Sequence, residues 1–185
     1  MPKRSLRQKL LTQRRMLSDA ECLQRSRSLQ QAFLATDEYR QASVIALYAP
    51  IHNEVRTEYV FETALRDRKR VCFPRVKKHH IEFVPVADPS ELTDGAFGIA
   101  EPAGNDVVTV DDIDIVVVPG VGFDRLGFRL GYGRGYYDRS IGTGREVKLA
   151  GLAYDFQVVD ELPAEDHDVR INLLVMESGR LQFDQ

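Results

Sequence analysis

The apolar positions near the start of the chain recur with a helical period. Leu6, Leu10 and Leu17 fall within about 40° of one another on a helix of 3.6 residues per turn. Residues 18–21, SDAE, have the spacing of a capping box and predict the start of a second helix, which we expect to end near Thr36. The first 40 residues are therefore predicted to be helical.

From residue 44 onward the pattern changes to short apolar runs, which are typical of buried strands. A helix with Thr57 as its N-cap is expected between the first two runs. The run at 81–86 alternates, which favours a position near a sheet edge, whereas 113–118 is nearly continuous and stops at Pro119. The predicted strands are 44–48, 71–73, 81–86, 113–118, 147–154 and 171–176.

Strands that alternate with helices predict an α/β fold. We expect a single domain over residues 1–185, with three α/β/α layers, a mostly parallel, mixed central sheet and N-terminal helices. Ligands of such sheets gather beyond the carboxyl ends of the strands. The loops 49–54, 119–137 and 162–168 are therefore the places to look for a site.

The segment from Gly120 to Asp138 reads GVGFDRLGFRLGYGRGYYD, with five glycines inside fourteen residues. Glycines let the backbone approach a ligand closely, and successive N–H groups can form a concave anion site. Arg125, Arg129 and Arg134 add guanidinium groups that bind phosphate oxygens. The combination favours polyphosphate binding over a flexible turn with solvated arginines. It has neither the ending of a Walker A loop nor the glycine spacing of a dinucleotide-binding turn.

The composition limits the classes of protein to which the chain can belong. Hydrophobic residues make up 43% of the chain, enough for a core, and 25 Lys and Arg against 28 Asp and Glu give a net charge of −3. That balance argues against a protein that binds nucleic acid over its whole surface. Two cysteines, Cys22 and Cys72, exclude a disulfide framework, and no apolar run approaches about 20 residues. We expect a cytoplasmic protein with Cys72 buried.

A basic stripe of Lys3, Arg7 and Arg14 lies about 60° from the leucine stripe on the same helix. The acid-free, basic start of the chain is also compatible with a transit peptide. A solvated helix face is the usual role of a charged stripe. A non-catalytic polyanion-binding protein that uses this helix is therefore one alternative to an enzyme.

Residues 119–139, PGVGFDRLGFRLGYGRGYYDR, resemble the signature of the 5-formyltetrahydrofolate cyclo-ligase family, also called methenyltetrahydrofolate synthetases. Further similar segments follow the family's order over nearly the whole chain. They are residues 3–7 and 14–18 for the N-terminal helix, 48–57 for the folate loop, 74–76 and 98–102 for the middle, and 163–168 for the tail.

The resemblance implies where ATP binds, and it makes Arg129 and Arg134 the catalytic residues. Lys3 and Arg7 are one helical turn apart, so they can also reach one phosphate chain on physical grounds. The implied ATP contacts are Lys3, Arg4, Ser5, Leu6, Arg7, Arg129, Leu130, Gly131, Tyr132, Gly133, Arg134, Gly135, Tyr136 and Tyr137.

The resemblance also implies a folate pocket and a magnesium site. A carboxylate suits the N–H donors of a pterin ring, and a tyrosine can stack on the ring. Mg²⁺ would be held by Asp138 and Asp168, since it prefers a few carboxylates with waters and phosphates. Without the family resemblance, Asp138 would be interpreted as a cap of its turn and Asp168 as a surface acid. His167 is interpreted as a residue that positions its loop. The implied folate contacts are Ala49, Glu54, Tyr132, Gly133, Arg134, Gly135 and Tyr136.

The implied reaction is ATP-dependent cyclisation of 5-formyltetrahydrofolate to 5,10-methenyltetrahydrofolate, with release of ADP and phosphate. The formyl oxygen is phosphorylated and N10 then attacks the formyl carbon. ATP and Mg²⁺ would be required, the partners would be small molecules, without nucleic acid or membrane, and the protein would be a monomer. A different ATP-dependent small-molecule ligase on the same fold is the second alternative.

Three positions depart from the family's usual residues. Asn53 stands where many members have Gly, Arg56 where an acid is common, and Asn172 where Asp is frequent. We expect these departures to affect the folate loop more than the ATP loop.

Overall fold

The structure is a computed structural model that describes residues 2–142, 147–163, 165 and 168–183. The helices are α1 (Lys3–Arg15), α2 (Asp19–Leu34), α3 (Asp37–Gln41), α4 (Glu58–Arg66) and α5 (Tyr136–Ile141). The strands are β1 (Val44–Ala46), β2 (Arg70–Lys77), β3 (His80–Pro85), β4 (Leu92–Asp94), β5 (Ala100–Pro102), β6 (Ile115–Val118), β7 (Gly122–Asp124), β8 (Arg129–Leu130), β9 (Lys148–Ala153), β10 (Val158–Val159), β11 (Leu173–Met176) and β12 (Gly179–Gln182).

Within the described ranges, seven strands form the central sheet in the order β12-β11-β9-β6-β1-β2-β3. The five inner strands pair in parallel, and the edge strands β12 and β3 are antiparallel to their neighbours. Strand β6 lies in the middle with all four residues buried, as a continuous apolar run predicts. The edge position of β3 confirms the expectation drawn from its alternating pattern.

Successive residues of the strands enter different cores, because side chains alternate across a sheet. Ile45 and Ile115 pack with α2, α3 and α4 on one face. Ala46 and Val116 face the other side, which is covered by the six-residue α5 and by β7 of a small sheet, β10-β7-β8. The predicted α/β class, with its mostly parallel, mixed sheet and N-terminal helices, is confirmed. None of the described helices has the length and apolar content needed to cross a bilayer.

The helix starts were predicted better than the helix ends. The capping box at Ser18 is present, since its side chain accepts from the N–H of Glu21 and the Glu21 carboxylate accepts in return. Helix α1 ends at Arg15, so Leu17 lies beyond it and packs on a different core from Leu6. Helix α2 ends at Leu34 because Thr36 caps the separate helix α3. Both cysteines are free and buried, as expected for Cys72.

The expectation about the end of β2 was wrong, and the expectation about α4 is confirmed in position only. Strand β2 does not stop at Pro74 but continues to Lys77. β1 pairs with β2 only up to Cys72, so Pro74 removes no ladder bond on that side. Thr57 does occupy the N-cap position of α4, but its side chain makes no capping bond. Its hydroxyl instead donates to the carbonyl of Tyr48 at 2.8 Å.

The predicted loop 119–137 contains β7, β8 and the start of α5. Its organiser is Asp124, which is fully buried. Oδ1 accepts from the N–H groups of Leu126 at 2.9 Å and Phe128 at 2.8 Å, and Oδ2 accepts from the N–H of Leu162 at 2.9 Å. One carboxylate therefore fixes the β7–β8 hairpin and ties it to the chain that follows β10.

We expect Asp124→Ala to lower the free energy of unfolding by about 3 kcal/mol, because one buried and two partly buried N–H groups lose their acceptor. Urea unfolding followed by circular dichroism measures the change. Asp160→Ala is the matched control: this acid is fully exposed, with only a 3.7 Å ion pair to Arg125, and its loss should change stability by less than about 0.5 kcal/mol. Equal stability of the two variants would contradict the role of Asp124.

Candidate functional site

A cavity of about 560 Å³ opens beyond the carboxyl ends of β1 and β6. Parallel sheets place ligand sites at this edge, so the predicted loops do meet there. Helix α1 forms one wall, the turn after β1 another, and the segment from β8 into α5 a third. The predicted site residues that line the cavity are Lys3, Arg7, Ala49, Glu54, Arg129, Leu130, Gly131, Tyr132, Gly133, Arg134, Gly135, Tyr136, Tyr137, Asp138 and Asp168.

Three of the predicted ATP contacts lie elsewhere. Arg4 and Ser5 are exposed on the outer face of α1, where they line a separate shallow surface. Leu6 is buried in a small core with Leu10 and Leu130. Their contact with ATP stays a prediction. The loop 162–168 is described only in part, and His167 lies outside the described residues.

Helix α1 presents two cations to the cavity. Lys3 Nζ donates to Glu165 Oε1 at 2.8 Å and to Asp168 Oδ2 at 3.1 Å. Desolvation lowers the pKa of Lys3, but these acceptors outweigh it, and the pKa is raised. One turn later, Arg7 Nε donates to the carbonyl of Gly131 at 2.8 Å. Lys3 and Arg7 of the basic stripe therefore face the cavity.

Arg129 and Asp138 form an ion pair on the opposite wall. Arg129 Nη2 donates to Asp138 Oδ1 at 2.8 Å, and the guanidinium lies 5.4 Å from the centre of the Tyr137 ring. Asp138 Oδ1 also accepts from the N–H of Val169 at 3.4 Å, so it does not act as a cap for its own turn. The pair holds the guanidinium at the cavity surface.

The glycines between these groups have conformations that other residues rarely adopt. Gly133 has φ +97° and Gly135 has φ +63°, both in the region that favours glycine. A side chain at Gly133 would also approach the Arg7 guanidinium to 3.6 Å. The loop thus brings its backbone close to α1 at the cavity lining. An anion site formed by its N–H groups stays a prediction.

The other end of the cavity is formed by a tight turn after β1. The N–H of Glu54 donates to the carbonyl of Ile51 at 2.9 Å, and His52 and Asn53 between them have φ +49° and +58°. Asn tolerates this conformation better than most residues, which explains why it can replace Gly at position 53. Its side-chain amide donates to the carbonyls of Arg14 at 3.2 Å and Leu17 at 2.8 Å. The turn is therefore fixed to the end of α1.

Glu54 is the buried acid of this end. Oε2 accepts from the N–H of Ile51 at 3.0 Å, and Oε1 lies 3.8 Å from Arg14 Nη1. Burial raises the pKa of the Glu54 carboxyl, and the nearby Arg14 guanidinium lowers it. Arg14 belongs to the predicted basic stripe with Lys3 and Arg7, but its side chain is only 1% exposed.

Aromatic rings line the space between the two ends. Burial raises the pKa of Tyr132 to about 12 and also raises that of Tyr137, so both phenols are neutral at physiological pH. Phe97 lies over the opening, where its ring is 3.8 Å from the Arg134 guanidinium and 6.4 Å from the Tyr136 ring. The sequence did not single out Phe97; its only signal was the resemblance of residues 98–102.

Two polar atoms of the cavity lack a hydrogen bond of good geometry within the described part of the chain. They are Glu54 Oε1, an acceptor, and Arg129 Nε, a donor. Buried polar groups are normally satisfied, so a ligand with a donor at one end and an acceptor at the other would complete both. Three further such atoms, on Glu38, Arg56 and Arg75, lie outside the cavity lining.

The chemistry of the acids fits a magnesium ion that shares its ligands with phosphate. Among the described residues, no group of three or more His, Cys, Asp or Glu side chains is arranged to hold a metal. Asp138 and Asp168 both line the cavity, each beside a cation, Arg129 or Lys3. Mg²⁺ commonly takes only one or two carboxylates together with substrate phosphates and water. The predicted pair is thus suitable for such an ion, and direct coordination stays a prediction.

The fold and the cavity define an α/β protein whose site has a cationic end and an aromatic end with a buried carboxylate. The profile of the 5-formyltetrahydrofolate cyclo-ligase family matches residues 1–177, and the chain belongs to that family. It is 35% identical to the 5-formyltetrahydrofolate cyclo-ligase of Haemophilus influenzae over 79% of this chain and 82% of that one. The mouse 5-formyltetrahydrofolate cyclo-ligase is 30% identical over 96% of this chain and 94% of its own.

A solved structure has the same fold. The 5,10-methenyltetrahydrofolate synthetase of Aquifex aeolicus superimposes with a TM-score of 0.89 and is 36% identical, covering 100% of this chain and 94% of its own. The family resemblance noted in the sequence is therefore confirmed, and so is the fold class.

Proposed function

We propose that the protein uses ATP to convert 5-formyltetrahydrofolate to 5,10-methenyltetrahydrofolate, with ADP and phosphate as the other products. Family membership gives the reaction class. The observation that carries the proposal is a single cavity with Lys3, Arg7 and Arg129 at one end and Glu54 at the other. A polyphosphate and a flat ring with N–H donors need these two environments side by side.

The cationic end is the proposed phosphate site. Lys3, Arg7, Arg129 and Arg134 would neutralise the phosphate oxygens, and an oxygen could accept from the unpaired Nε of Arg129. Asp138 and Asp168 would hold Mg²⁺ against the phosphates. When bound there, the metal supplies charge neutralisation and a template for the phosphate chain.

The aromatic end is the proposed folate site. Glu54 lines the cavity, and its Oε1 has no hydrogen bond of good geometry in the described chain, so it can accept from the N–H groups of a pterin ring. Tyr132 and Tyr136 line the cavity and would stack on the pterin ring, and Ala49 is a further part of the lining. The carboxylate would orient the ring, so that the N5 formyl group points toward the phosphates.

The chemistry needs alignment more than a protein nucleophile. The formyl oxygen attacks the γ-phosphorus, and the bond from that phosphorus to ADP breaks. N10 then attacks the activated formyl carbon and loses its proton, and the carbon–oxygen bond breaks as phosphate leaves. Lys3, Arg7, Arg129 and Arg134 would hold the γ-phosphate in line and stabilise its developing charge.

The test is the near-ultraviolet absorbance of the methenyl product. Purified protein should form it only when 5-formyltetrahydrofolate, ATP and Mg²⁺ are all present. Removal of Mg²⁺ by EDTA should slow formation by at least about a hundredfold, and added Mg²⁺ should restore it. A reaction mixture without ATP is the negative control. Folded protein that hydrolyses ATP with another carbonyl or amide substrate, and forms no methenyl product, would favour the alternative ligase.

A polyanion-binding role for α1 is less well supported. Lys3 and Arg7 point into the cavity, and Arg14 is buried, so the stripe is not an open surface. We also propose that the protein acts as a monomer in the cytoplasm. The two buried free thiols are consistent with a reducing compartment, and gel filtration tests the monomer.

A further inference from the structure

Arg14 is the largest fully buried side chain of the described residues. Arginine is almost never buried completely unless it is paired, because an isolated charge is costly to remove from water. It stands one residue before the end of α1, and its neighbour Arg15 is exposed. The helix therefore directs one of two adjacent arginines inward, toward the end of the cavity that holds Glu54.

The guanidinium of Arg14 joins three separate parts of the cavity wall. Nε donates to the carbonyl of His52 at 2.9 Å, and Nη1 donates to the carbonyl of Gly120 at 3.3 Å. Nη2 donates to the hydroxyl of Tyr132, and Nη1 lies 3.8 Å from Glu54 Oε1. The turn after β1, the end of β6 and the glycine-rich loop thus meet at one side chain.

We propose that Arg14 is a positioning residue for the folate site, which keeps the buried Glu54 carboxylate ionised and holds Tyr132 against it. The inference rests on the proposed function, because only that function gives Glu54 a role in folate binding. It assigns Arg14 no contact with the substrate, and Arg14 does not line the cavity.

The surroundings of Glu54 explain why the arginine is needed. Burial raises the pKa of Glu54, and the Arg14 guanidinium opposes this shift more than the hydrogen bonds from the Ile51 N–H and the Tyr132 hydroxyl do. Among the groups of the described chain that face this carboxylate, the positively charged one is Arg14. The tyrosine hydroxyls that surround the carboxylate have raised pKa values. A ligand bound by the ionised carboxylate loses affinity as the pH falls through the pKa of Glu54. The titratable and charged groups that face the Glu54 carboxylate are Arg14 from α1, Tyr48 after β1, Tyr132 from the glycine-rich loop and Tyr137 from α5. Two further titratable groups lie nearby: the Cys22 thiol, which donates to the backbone carbonyl of Glu54, and His52, which is on the same turn.

Arg14→Met tests the electrostatic part. Calorimetry from about pH 5.5 to about pH 9 gives the dissociation constant of 5-formyltetrahydrofolate and the pH below which affinity falls. Without the guanidinium, that limit should move up by about one to three pH units, with about a tenfold loss of affinity per unit below it. Arg15→Met, the same change on the adjacent exposed residue, should bind as the unaltered protein does. An unmoved limit in a folded Arg14→Met protein overturns the proposal.

Arg14→Lys tests the positioning part and covers the case in which Arg14→Met does not fold. Lysine keeps the charge but lacks the planar fork that reaches His52, Gly120 and Tyr132 together. The pH limit should stay in place while affinity falls about tenfold at every pH. Unaltered affinity of this variant overturns the proposal. If the unaltered protein binds no reduced folate at all, the proposed function fails instead, which is a distinct result.

Discussion

Replacing Lys3 and Arg7 together by methionine should slow methenyl formation by about 10³- to 10⁴-fold, with the chain still folded. The two cations stand on one face of α1 and reach the cavity from the same side. Methionine keeps an unbranched apolar stem at each position and removes the charge together with its hydrogen-bond donors. The leucines that dock the helix, Leu6 and Leu10, are untouched. Stopped assays of the methenyl absorbance at saturating folate measure the effect.

The matched control is Lys9→Met with Arg15→Met. It removes the same two charges from exposed positions of the same helix. This variant should keep its rate within about twofold, because surface charges distant from a site contribute little. Equal losses in both double variants would instead mean that the total charge of the helix matters, as in a polyanion-binding protein.

Arg129→Met should lower kcat by about 10²- to 10³-fold, with the affinity for 5-formyltetrahydrofolate changed little. Its guanidinium pairs with Asp138 at 2.8 Å and keeps Nε free for a phosphate oxygen. The variant should remain folded, since Asp138 still accepts from the N–H of Val169. Steady-state kinetics with ATP varied, together with a thermal melt, measures both effects.

Arg125→Met is the control for that variant. Arg125 lies in the same glycine-rich segment, and the sequence grouped it with the phosphate-binding arginines. Its side chain is 60% exposed and does not line the cavity, so the structure does not support that role. Its loss should leave ATP kinetics as they are. If Arg129→Met likewise retains normal ATP kinetics while folded, Arg129 has no role in phosphoryl transfer.

The sequence predicted best what depends on local pattern. The apolar run that forms β6 admits only a buried strand, and the Ser18 capping box fixes the start of α2. The list of site residues came from the family resemblance, because hydrophobic periodicity does not indicate which residues form a site. The loops 49–54 and 119–137 do meet at the carboxyl edge of the sheet, because parallel strands end at the same edge and each loop follows such a strand.

What the sequence could not predict depends on partners far along the chain. Helical spacing placed Arg14 on one stripe with Lys3 and Arg7, yet only Arg14 is buried, because His52, Gly120 and Tyr132 supply its acceptors. Strand β8 has two residues, too few to show an alternation. In the sequence Asp124 looks like an ordinary loop acid, because only the fold brings the N–H groups of Leu126 and Leu162 to its carboxylate.

The pairing of Lys3 with Glu165 and Asp168 joins residues that are 162 and 165 positions apart. During synthesis α1 leaves the ribosome before the later residues that cover Leu6 and Leu10, which lie between Val121 and Leu162. An incomplete nascent chain therefore carries an amphipathic helix with an open apolar stripe, which is a target for chaperones. Nucleotide binding should appear abruptly in a series of lengthening chains, only after residue 168 has emerged.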